Sequence, residues 1–231
     1  MHVLVSAADL LLGASCPGCG SPAVTLCRPC GLAMRPDLYV AWPRPTPPVL
    51  RAPSAVVPIA GGANSGAMRA ALISWKEEGR FGLTTALSHL LAAATAQLVA
   101  PGRPAVLVPV PTSRRSKRAR GSDVVDELTR AAARLLRGVG VEIGVSQALT
   151  YARATRDQAG LDAEHRAVNL ADAFRMRTTR GLAGCDVIVV DDILTTGATV
   201  AEAVRVLTAA GHRPVGIAVA AATPRRPKDR P

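Results

Sequence analysis

The stretch that most constrains this chain runs from Val187 to Thr199. Its order is Val-Ile-Val-Val, then Asp191 and Asp192, then Ile-Leu, then Thr-Thr-Gly-Ala-Thr. Four β-branched apolar residues in a row predict a buried strand of a parallel sheet, ended by the two acidic residues. Apolar residues at helical spacing follow at once, so the pattern predicts a strand, a short loop and a helix. The first N–H groups of such a helix have no internal partner, and the helix dipole there favours an anion.

The composition of this loop fits a phosphate group. Gly197 allows a close backbone approach, and the threonines add hydroxyl donors. No Lys-Ser or Lys-Thr follows the glycine, which excludes a P-loop, and the loop is not a G-x-G-x-x-G dinucleotide motif. Carboxylates beside a phosphate site suit the hydroxyls of a ribose 5-phosphate. The alternative for the same residues is an ordinary β–α turn with an acidic strand end.

All thirteen positions resemble the loop with which type I phosphoribosyltransferases bind phosphoribosyl pyrophosphate (PRPP). The resemblance implies that Asp191 and Asp192 hold the ribose 2- and 3-hydroxyls, directly or through Mg²⁺. It also implies that the 5-phosphate lies against the residues that follow, which are Thr195, Thr196, Gly197, Ala198 and Thr199. Mg²⁺ usually arrives on the diphosphate, so we expect no dedicated cluster of metal ligands for it.

Four cysteines near the N-terminus form two C-x-x-C pairs, separated by seven residues. Two such pairs can bring four thiolates to one tetrahedral Zn²⁺. Disulfides are an alternative that a cytoplasmic chain disfavours, and a redox-active pair is another. We predict a structural zinc site formed by Cys16, Cys19, Cys27 and Cys30.

Length and charge limit the remaining possibilities. A chain of 231 residues with 48% hydrophobic residues suits one α/β domain with a small appendage. Its 28 Lys+Arg against 17 Asp+Glu give a net charge of +11, which favours polyanionic ligands, although a solvated surface is the alternative.

No apolar run reaches the length of a membrane span. Residues 1–15 contain Asp9 and lack a preceding basic residue, which predicts a short amphipathic helix of a cytoplasmic protein.

The chain divides by composition into four segments. Residues 1–35 hold the predicted helix and zinc module, and the proline-rich residues 36–54 are predicted to be a linker. The main domain is predicted at 55–223, followed by a basic tail at 224–231. Strand and helix patterns alternate in the main domain, which predicts a doubly wound, mainly parallel sheet.

A basic cluster follows the predicted strand at Ala105–Pro111. The carboxyl ends of parallel strands share one edge of the sheet, so this cluster and the Asp191 loop are predicted to face one site. Its side chains could stabilise a departing pyrophosphate or bind nucleic acid, and the sequence leaves both open. The candidates are Thr112, Ser113, Arg114, Arg115, Lys117, Arg118 and Arg120.

The order of motifs along the chain resembles the ComF family, competence-associated proteins with a type I phosphoribosyltransferase domain. The matching features are the four cysteines, a V-P-V-P turn, an Arg-rich segment ending in Arg-Gly, an Arg/Thr/Gln/Leu loop, an R-x-x-N pair and the acidic loop. They lie at Cys16–Cys30, Val108–Pro111, Arg114–Gly121, Arg153/Thr155/Gln158/Leu161, Arg166/Asn169 and Asp191–Thr199. Two departures stand out: the step from Arg153 to Thr155 is one residue short, and Ser122-Asp123-Val124 replaces an aromatic-Asn-Gln.

The resemblance implies an α/β fold of the type I phosphoribosyltransferase class and transfer of a phosphoribosyl group from PRPP to an unknown acceptor. This is a pentosyl glycosyltransferase reaction that releases pyrophosphate. The implied catalytic residues are Asp191, Asp192, Arg114 and Arg153, and a mobile loop would carry Arg153, Arg156 and Gln158 over the site. The alternative is a non-catalytic protein of the same fold that acts in DNA uptake or processing by binding nucleic acid or a helicase.

Overall fold

The computed structural model describes residues 14–51, 53–113, 117–118, 121–152 and 172–224. Within them, eight strands are present. They are β1 (Tyr39–Val40), β2 (Val57–Ala60), β3 (Ala105–Pro109), β4 (Ile143–Val145), β5 (Leu149–Tyr151), β6 (Phe174–Met176), β7 (Asp186–Leu194) and β8 (Gly216–Ala222). The helices of the same part are α1 (Arg28–Ala33), α2 (Gly66–Glu77), α3 (Thr84–Ala96), α4 (Val124–Gly138) and α5 (Ala198–Ala209).

Six strands form the main sheet in the order β1-β2-β8-β7-β3-β4. All neighbours are parallel except the edge strand β1, which runs antiparallel to β2. β5 and β6 form a separate antiparallel pair. Helices α3 and α4 pack on each other, while α5 packs on β7 and β6. The predicted α/β class with a mainly parallel, doubly wound sheet is confirmed.

β3, β8 and residues 187–190 of β7 are buried because their sequences are apolar without interruption. Every residue of β3 and β8 is buried, as are all residues of β7 except Ile193. Strands covered by helices on both faces need such continuous apolar runs. The prediction that the strand ends at the acidic pair is wrong, because β7 continues to Leu194, which pairs with Ala222 of β8.

The proline-rich residues 36–54 contribute to the fold of the main domain. Tyr39 and Val40 pair with Ala60 and Ile59 at the edge of the sheet, and Tyr39 donates a hydrogen bond to the Ala222 carbonyl at 3.0 Å. Trp42 packs partly buried against the core. The boundaries at residues 35, 54 and 223 stay predictions, but this segment contacts the sheet rather than only connecting two parts.

The helices of the described ranges include none with both the length and the apolar composition needed to cross a membrane. Residues 1–13 of the helix predicted at 1–15 lie outside the described part of the chain, and Ser15 forms an isolated antiparallel bridge with Pro22.

Candidate functional site

The carboxyl ends of β3 and β7 form the topological switch point of the sheet. The two strands pair from Ala105↔Asp186 to Pro109↔Val190, after which β7 continues beyond β3. The chain leaves β7 through α5 toward β8 on one side and leaves β3 through α4 toward β4 on the other. Because parallel crossovers are right-handed, the two helices lie on opposite faces. Open α/β sheets bind ligands in the crevice that this arrangement creates.

Asp191 and Asp192 lie on β7 just beyond the end of β3, and both are buried, with 8% and 2% of their surface exposed. The Asp192 amide donates to Asp191 Oδ1 at 2.8 Å, and the Ile193 amide donates to Asp192 Oδ1 at 2.8 Å. These local bonds fix the direction of each carboxyl group. The acidic pair therefore forms the floor of the crevice at the switch point.

Lys76 supplies the positive charge at this floor, and the sequence does not single it out. It lies in the last turn of α2, and its Nζ contacts Asp192 Oδ2 at 2.5 Å. The Asp192 side chain is 3% exposed and the Lys76 side chain 31% exposed. An ammonium beside a buried carboxylate offsets part of the cost of removing that charge from water.

The two carboxyl groups ionise differently. Burial, together with the negative charge of Asp192, raises the pKa of Asp191 well above its usual range. Burial alone would also raise the pKa of Asp192, but the charge and hydrogen bond of Lys76 outweigh it and lower that pKa. The two pKa values are therefore pushed in opposite directions, so that Asp191 is the group that takes up a proton more readily and Asp192 the group that keeps its charge more readily.

The loop after β7 leads directly into α5 and leaves the helix N-terminus open. The N-cap residue is Gly197, which has no side chain to cap the helix, and among the described residues the Ala198 amide contacts Thr196 Oγ1 at 3.4 Å. Thr195 is exposed, and Thr196 and Thr199 are partly exposed. Uncapped N–H groups beside hydroxyl groups are chemically suited to a phosphate.

Gly197 is required by its backbone and by its neighbours. Its φ is +77°, which favours glycine, and a Cβ there would lie 2.6 Å from Pro43 Cγ. Pro47 Cδ is the next neighbour, at 3.7 Å. The space beside the Gly197 Cα is thus occupied by the proline-rich segment, which packs against the loop; the close approach of a phosphate to this loop stays a prediction.

Asp123 holds Thr112 and Lys117, two residues of the predicted basic cluster, to the start of α4. This residue caps the helix through the Asp126 amide at 3.4 Å, accepts a hydrogen bond from Thr112 Oγ1 at 2.7 Å, and pairs with Lys117 Nζ at 2.5 Å. The departure from the family pattern at this position therefore has a structural role. The Lys117 amide also donates to the Ser113 carbonyl at 2.9 Å.

Several predicted site residues fall outside the described part of the chain. In the basic cluster these are Arg114, Arg115 and Arg120, whereas Arg118 is described and exposed. The residues predicted on the mobile loop and the pair that follows it also fall outside, namely Arg153, Thr155, Arg156, Gln158, Leu161, Arg166 and Asn169. The backbone on either side of residues 153–171 is joined, since the Ala152 amide donates to the Ala173 carbonyl at 2.7 Å.

A third loop, residues 61–66, leaves the carboxyl end of β2 on the same edge of the sheet. The Asn64 amide donates to the Ala222 carbonyl at 2.7 Å, which ties this loop to the end of β8. Gly66 opens α2 with a φ of +51°. The loop matters for the site because it begins the helix that carries Lys76.

The predicted convergence of the four cysteines is confirmed. The Sγ atoms of Cys16, Cys19, Cys27 and Cys30 all lie within 4.8 Å of one another, and the Cys19–Cys27 distance is 3.4 Å. The hydrogen bond between the Cys19 and Ser21 side chains lowers the pKa of Cys19 to about 6, whereas the hydrogen bond with the neighbouring Cys27 thiol raises the pKa of Cys30 to about 12. Four thiols this close cannot all ionise without a cation, so the set fits Zn²⁺.

The four-cysteine segment touches the main domain near both ends of α2. A Cβ at Gly18 would lie 3.0 Å from Ala67 Cβ, in the first turn of that helix. Beyond its end, Arg80 donates to the Val24 carbonyl at 3.1 Å, and a Cβ at Gly82 would lie 3.0 Å from Thr25. The segment and α2 therefore form one packed unit.

Comparisons with known proteins identify the relatives of this chain. Residues 119–230 match the family model of the phosphoribosyl transferase domain. Over 208 residues the chain is 32% identical to the DNA utilization protein YhgH of Escherichia coli strain K12, covering 87% of this chain and 81% of that protein. The protein of the same name from Salmonella typhi is 40% identical over 72 residues, 31% of each chain.

Among solved structures, a hypoxanthine phosphoribosyltransferase from Staphylococcus aureus shares 14% identity, with a TM-score of 0.34, over 64% of this chain and 67% of that one. The sequence matches decide the family, since the similarity to YhgH spans most of both proteins. The domain match covers the acidic loop, the helix after it and the last strand of the sheet. The chain therefore belongs to the ComF family of proteins with a phosphoribosyltransferase domain.

Proposed function

We propose that the switch-point crevice binds PRPP and that the protein transfers its phosphoribosyl group to an acceptor with release of pyrophosphate. The observation that carries the proposal is the buried acidic pair directly before an uncapped helix N-terminus. The carboxyl oxygens can accept hydrogen bonds from the hydroxyl groups of a ribose 5-phosphate, and the helix N-terminus can bind its phosphate. Membership of the family supports the phosphoribosyltransferase fold, and the residues of the site support PRPP as the ligand.

In this proposal the chain's own residues bind and orient the ligand. Asp191 and Asp192 accept hydrogen bonds from the ribose 2- and 3-hydroxyls. The 5-phosphate lies against the amides and hydroxyls of residues 195–199. Positive charge grows on the sugar as the bond to pyrophosphate breaks, and negative charge grows on the leaving group. Arg114 and Arg153 are the proposed cations for that leaving group.

Mg²⁺ would enter with the diphosphate. The Asp192 carboxylate already has Lys76 opposite it, so the acidic pair does not offer a complete cage of oxygen ligands for a resident ion. A diphosphate-bound Mg²⁺ would neutralise charge on the leaving group. Orientation of the ribose still depends on Asp191 and Asp192.

PRPP binding and turnover need separate measurements. Calorimetric titration with PRPP and Mg²⁺ tests the ligand, and we expect saturable binding that ribose 5-phosphate competes away. Pyrophosphate release, measured against pooled nucleobases and amines, then tests the transfer. A protein that shows no heat with PRPP and no competition contradicts the proposed ligand, whereas binding without pyrophosphate release contradicts only the transfer.

A second candidate function is nucleic-acid binding by the basic cluster. The net charge of +11 and the name of the relative, a DNA utilization protein, favour it. If Arg114 and Arg115 contact phosphates of nucleic acid, the affinity for DNA should fall steeply with salt. The double variant Arg114→Ala/Arg115→Ala separates the two roles, because it should weaken either DNA binding or PRPP binding.

We further propose that the four cysteines hold one structural zinc ion. Their geometry leaves no open position once four sulfurs bind, so zinc would fold the segment rather than take part in the reaction. Elemental analysis should find about one zinc per chain. Metal-free protein with a native four-cysteine segment contradicts this role.

A further inference from the structure

Lys76 reaches the acidic pair from a helix that belongs to a different part of the chain. It lies 116 residues before Asp192, yet its Nζ is 2.5 Å from Asp192 Oδ2. Asp192 Oδ1 accepts from the Ile193 amide at 2.8 Å. The Ile193 amide and Lys76 thus each orient one oxygen of this buried carboxylate, and of these two donors Lys76 is the one that carries charge.

The end of α2 is itself fixed. Trp75, next to Lys76, is 1% exposed, and its indole N–H donates to Thr84 Oγ1 at 3.0 Å. The Ser74 carbonyl accepts from the amides of Glu78 and Arg80, both at 3.2 Å. A lysine in the last turn also meets the negative end of the helix dipole. Lys76 is therefore held by the packing of the residues on both sides of it.

Charge balance gives this lysine a role beyond stability. PRPP carries phosphates at both ends, and an uncompensated Asp192 carboxylate at the centre of its site would repel it. One ammonium beside Asp192 cancels that charge while leaving oxygen atoms as acceptors for hydroxyl groups. Resting on the function proposed above, we propose that Lys76 is a positioning residue, which keeps Asp192 oriented and charge-compensated for the ribose hydroxyls without touching the ligand.

Ligands that contain ribose and ligands that contain only phosphate should respond differently to the loss of Lys76. A positioning role through Asp192 affects ligands that contain ribose, whereas a direct contact with phosphate affects every phosphate ligand. The three probes are PRPP with Mg²⁺, ribose 5-phosphate and inorganic pyrophosphate. The variants are Lys76→Met, Lys76→Arg, Asp192→Asn and the double variant Lys76→Met/Asp192→Asn. Arg69→Met is the matched control, because it removes one exposed positive charge from the same helix.

We expect Lys76→Met to weaken binding of PRPP and ribose 5-phosphate about tenfold while pyrophosphate binding stays unchanged. Lys76→Arg should recover part of the affinity, and Arg69→Met should stay within about twofold of the wild-type protein. In the Asp192→Asn background, Lys76→Met should have no further effect, since the lysine acts through that carboxylate. This double variant has no stranded buried charge, so it remains informative if Lys76→Met alone does not fold.

Each contrary result overturns the proposal in a recognisable way. An equal loss in Arg69→Met assigns the effect to net charge, and a loss of pyrophosphate binding assigns it to direct contact. Independent effects of the two substitutions, or unchanged ribose 5-phosphate binding in Lys76→Met, remove the positioning role while PRPP binding by the wild-type protein stands. If the wild-type protein binds none of the three probes, the proposed function falls and this inference falls with it.

Discussion

Two lysine–aspartate pairs hold the carboxyl edge of the sheet, and they differ in burial rather than in distance. Lys76–Asp192 and Lys117–Asp123 both have an N–O distance of 2.5 Å. The Asp192 side chain is 3% exposed, whereas the Asp123 side chain is 18% exposed and its lysine 42% exposed. The two pairs therefore have equal distances but different dielectric surroundings. Replacing the lysine should lower the free energy of unfolding more in the buried pair than in the more exposed one.

The partners that remain after such a loss also differ. Asp123 would still accept from Thr112 and from the Asp126 amide at the helix start, and water reaches it. Asp192 would keep the Ile193 amide but would carry its charge in a buried position. The exposed pair organises a loop, while the buried pair sets the charge of the candidate site. The variants below test this contrast.

The largest expected effect is on stability. Lys76→Met should lower the free energy of unfolding by about 2–3 kcal/mol, because it leaves a buried carboxylate without its cation. We place the loss below that of a fully buried pair, since the Lys76 side chain is 31% exposed. Urea unfolding of the variant and of Arg69→Met measures the difference. Equal stability of these two proteins would show that the buried pair contributes nothing beyond a surface charge.

The next effect is on ligand affinity. Replacing Asp191 and Asp192 with Asn keeps their shape and should weaken PRPP binding at least tenfold, which is about 1.4 kcal/mol. Unfolding stability should stay within about 1 kcal/mol, because both carboxyl groups lose their charge together and the released Lys76, whose side chain is 31% exposed, can reach water. Calorimetry and thermal melting of the same protein give both values. Unchanged PRPP affinity contradicts the proposed ligand, and a collapsed melting temperature makes the pair structural.

The opposite pKa shifts of Asp191 and Asp192 give a third test, which is the dependence of stability on pH. The raised pKa of Asp191 stabilises the fold at low pH, and this contribution is lost as pH rises from about 4 through that pKa. The lowered pKa of Asp192 acts oppositely, with a contribution present above about pH 4 and lost as pH falls through its folded value. Asp191→Asn should therefore flatten the loss of melting temperature with rising pH. The exposed Asp37→Asn is the control and should keep the wild-type slope.

The part of the site that the sequence predicts is the part made of neighbouring residues. The strand, the acidic pair and the loop to α5 are contiguous, and the cysteine pairs also carry their own spacing. A run of apolar residues or a C-x-x-C pair depends little on distant residues. Such features predict the α/β fold and the four-cysteine cluster correctly.

The parts that the sequence does not predict depend on tertiary contacts. Lys76 is 116 residues away from Asp192, and nothing in its helix indicates that its ammonium reaches the site. A weak signal exists in hindsight, since the 28 basic residues include only three lysines. Strands of two or three residues, such as β1 and β5, are too short for a periodic pattern. The extension of β7 to Leu194 comes from pairing with β8.

The smallest expected effect belongs to the exposed pair. Lys117→Met should change the free energy of unfolding by less than about 0.5 kcal/mol, because water and salt reach and screen this partly exposed ion pair. Asp123 should still cap α4 and accept from Thr112, so the turn keeps its anchor. Urea unfolding beside Lys76→Met, at low and high salt, measures the contrast directly. A loss as large as that of Lys76→Met would mean that distance, and not burial, governs both pairs.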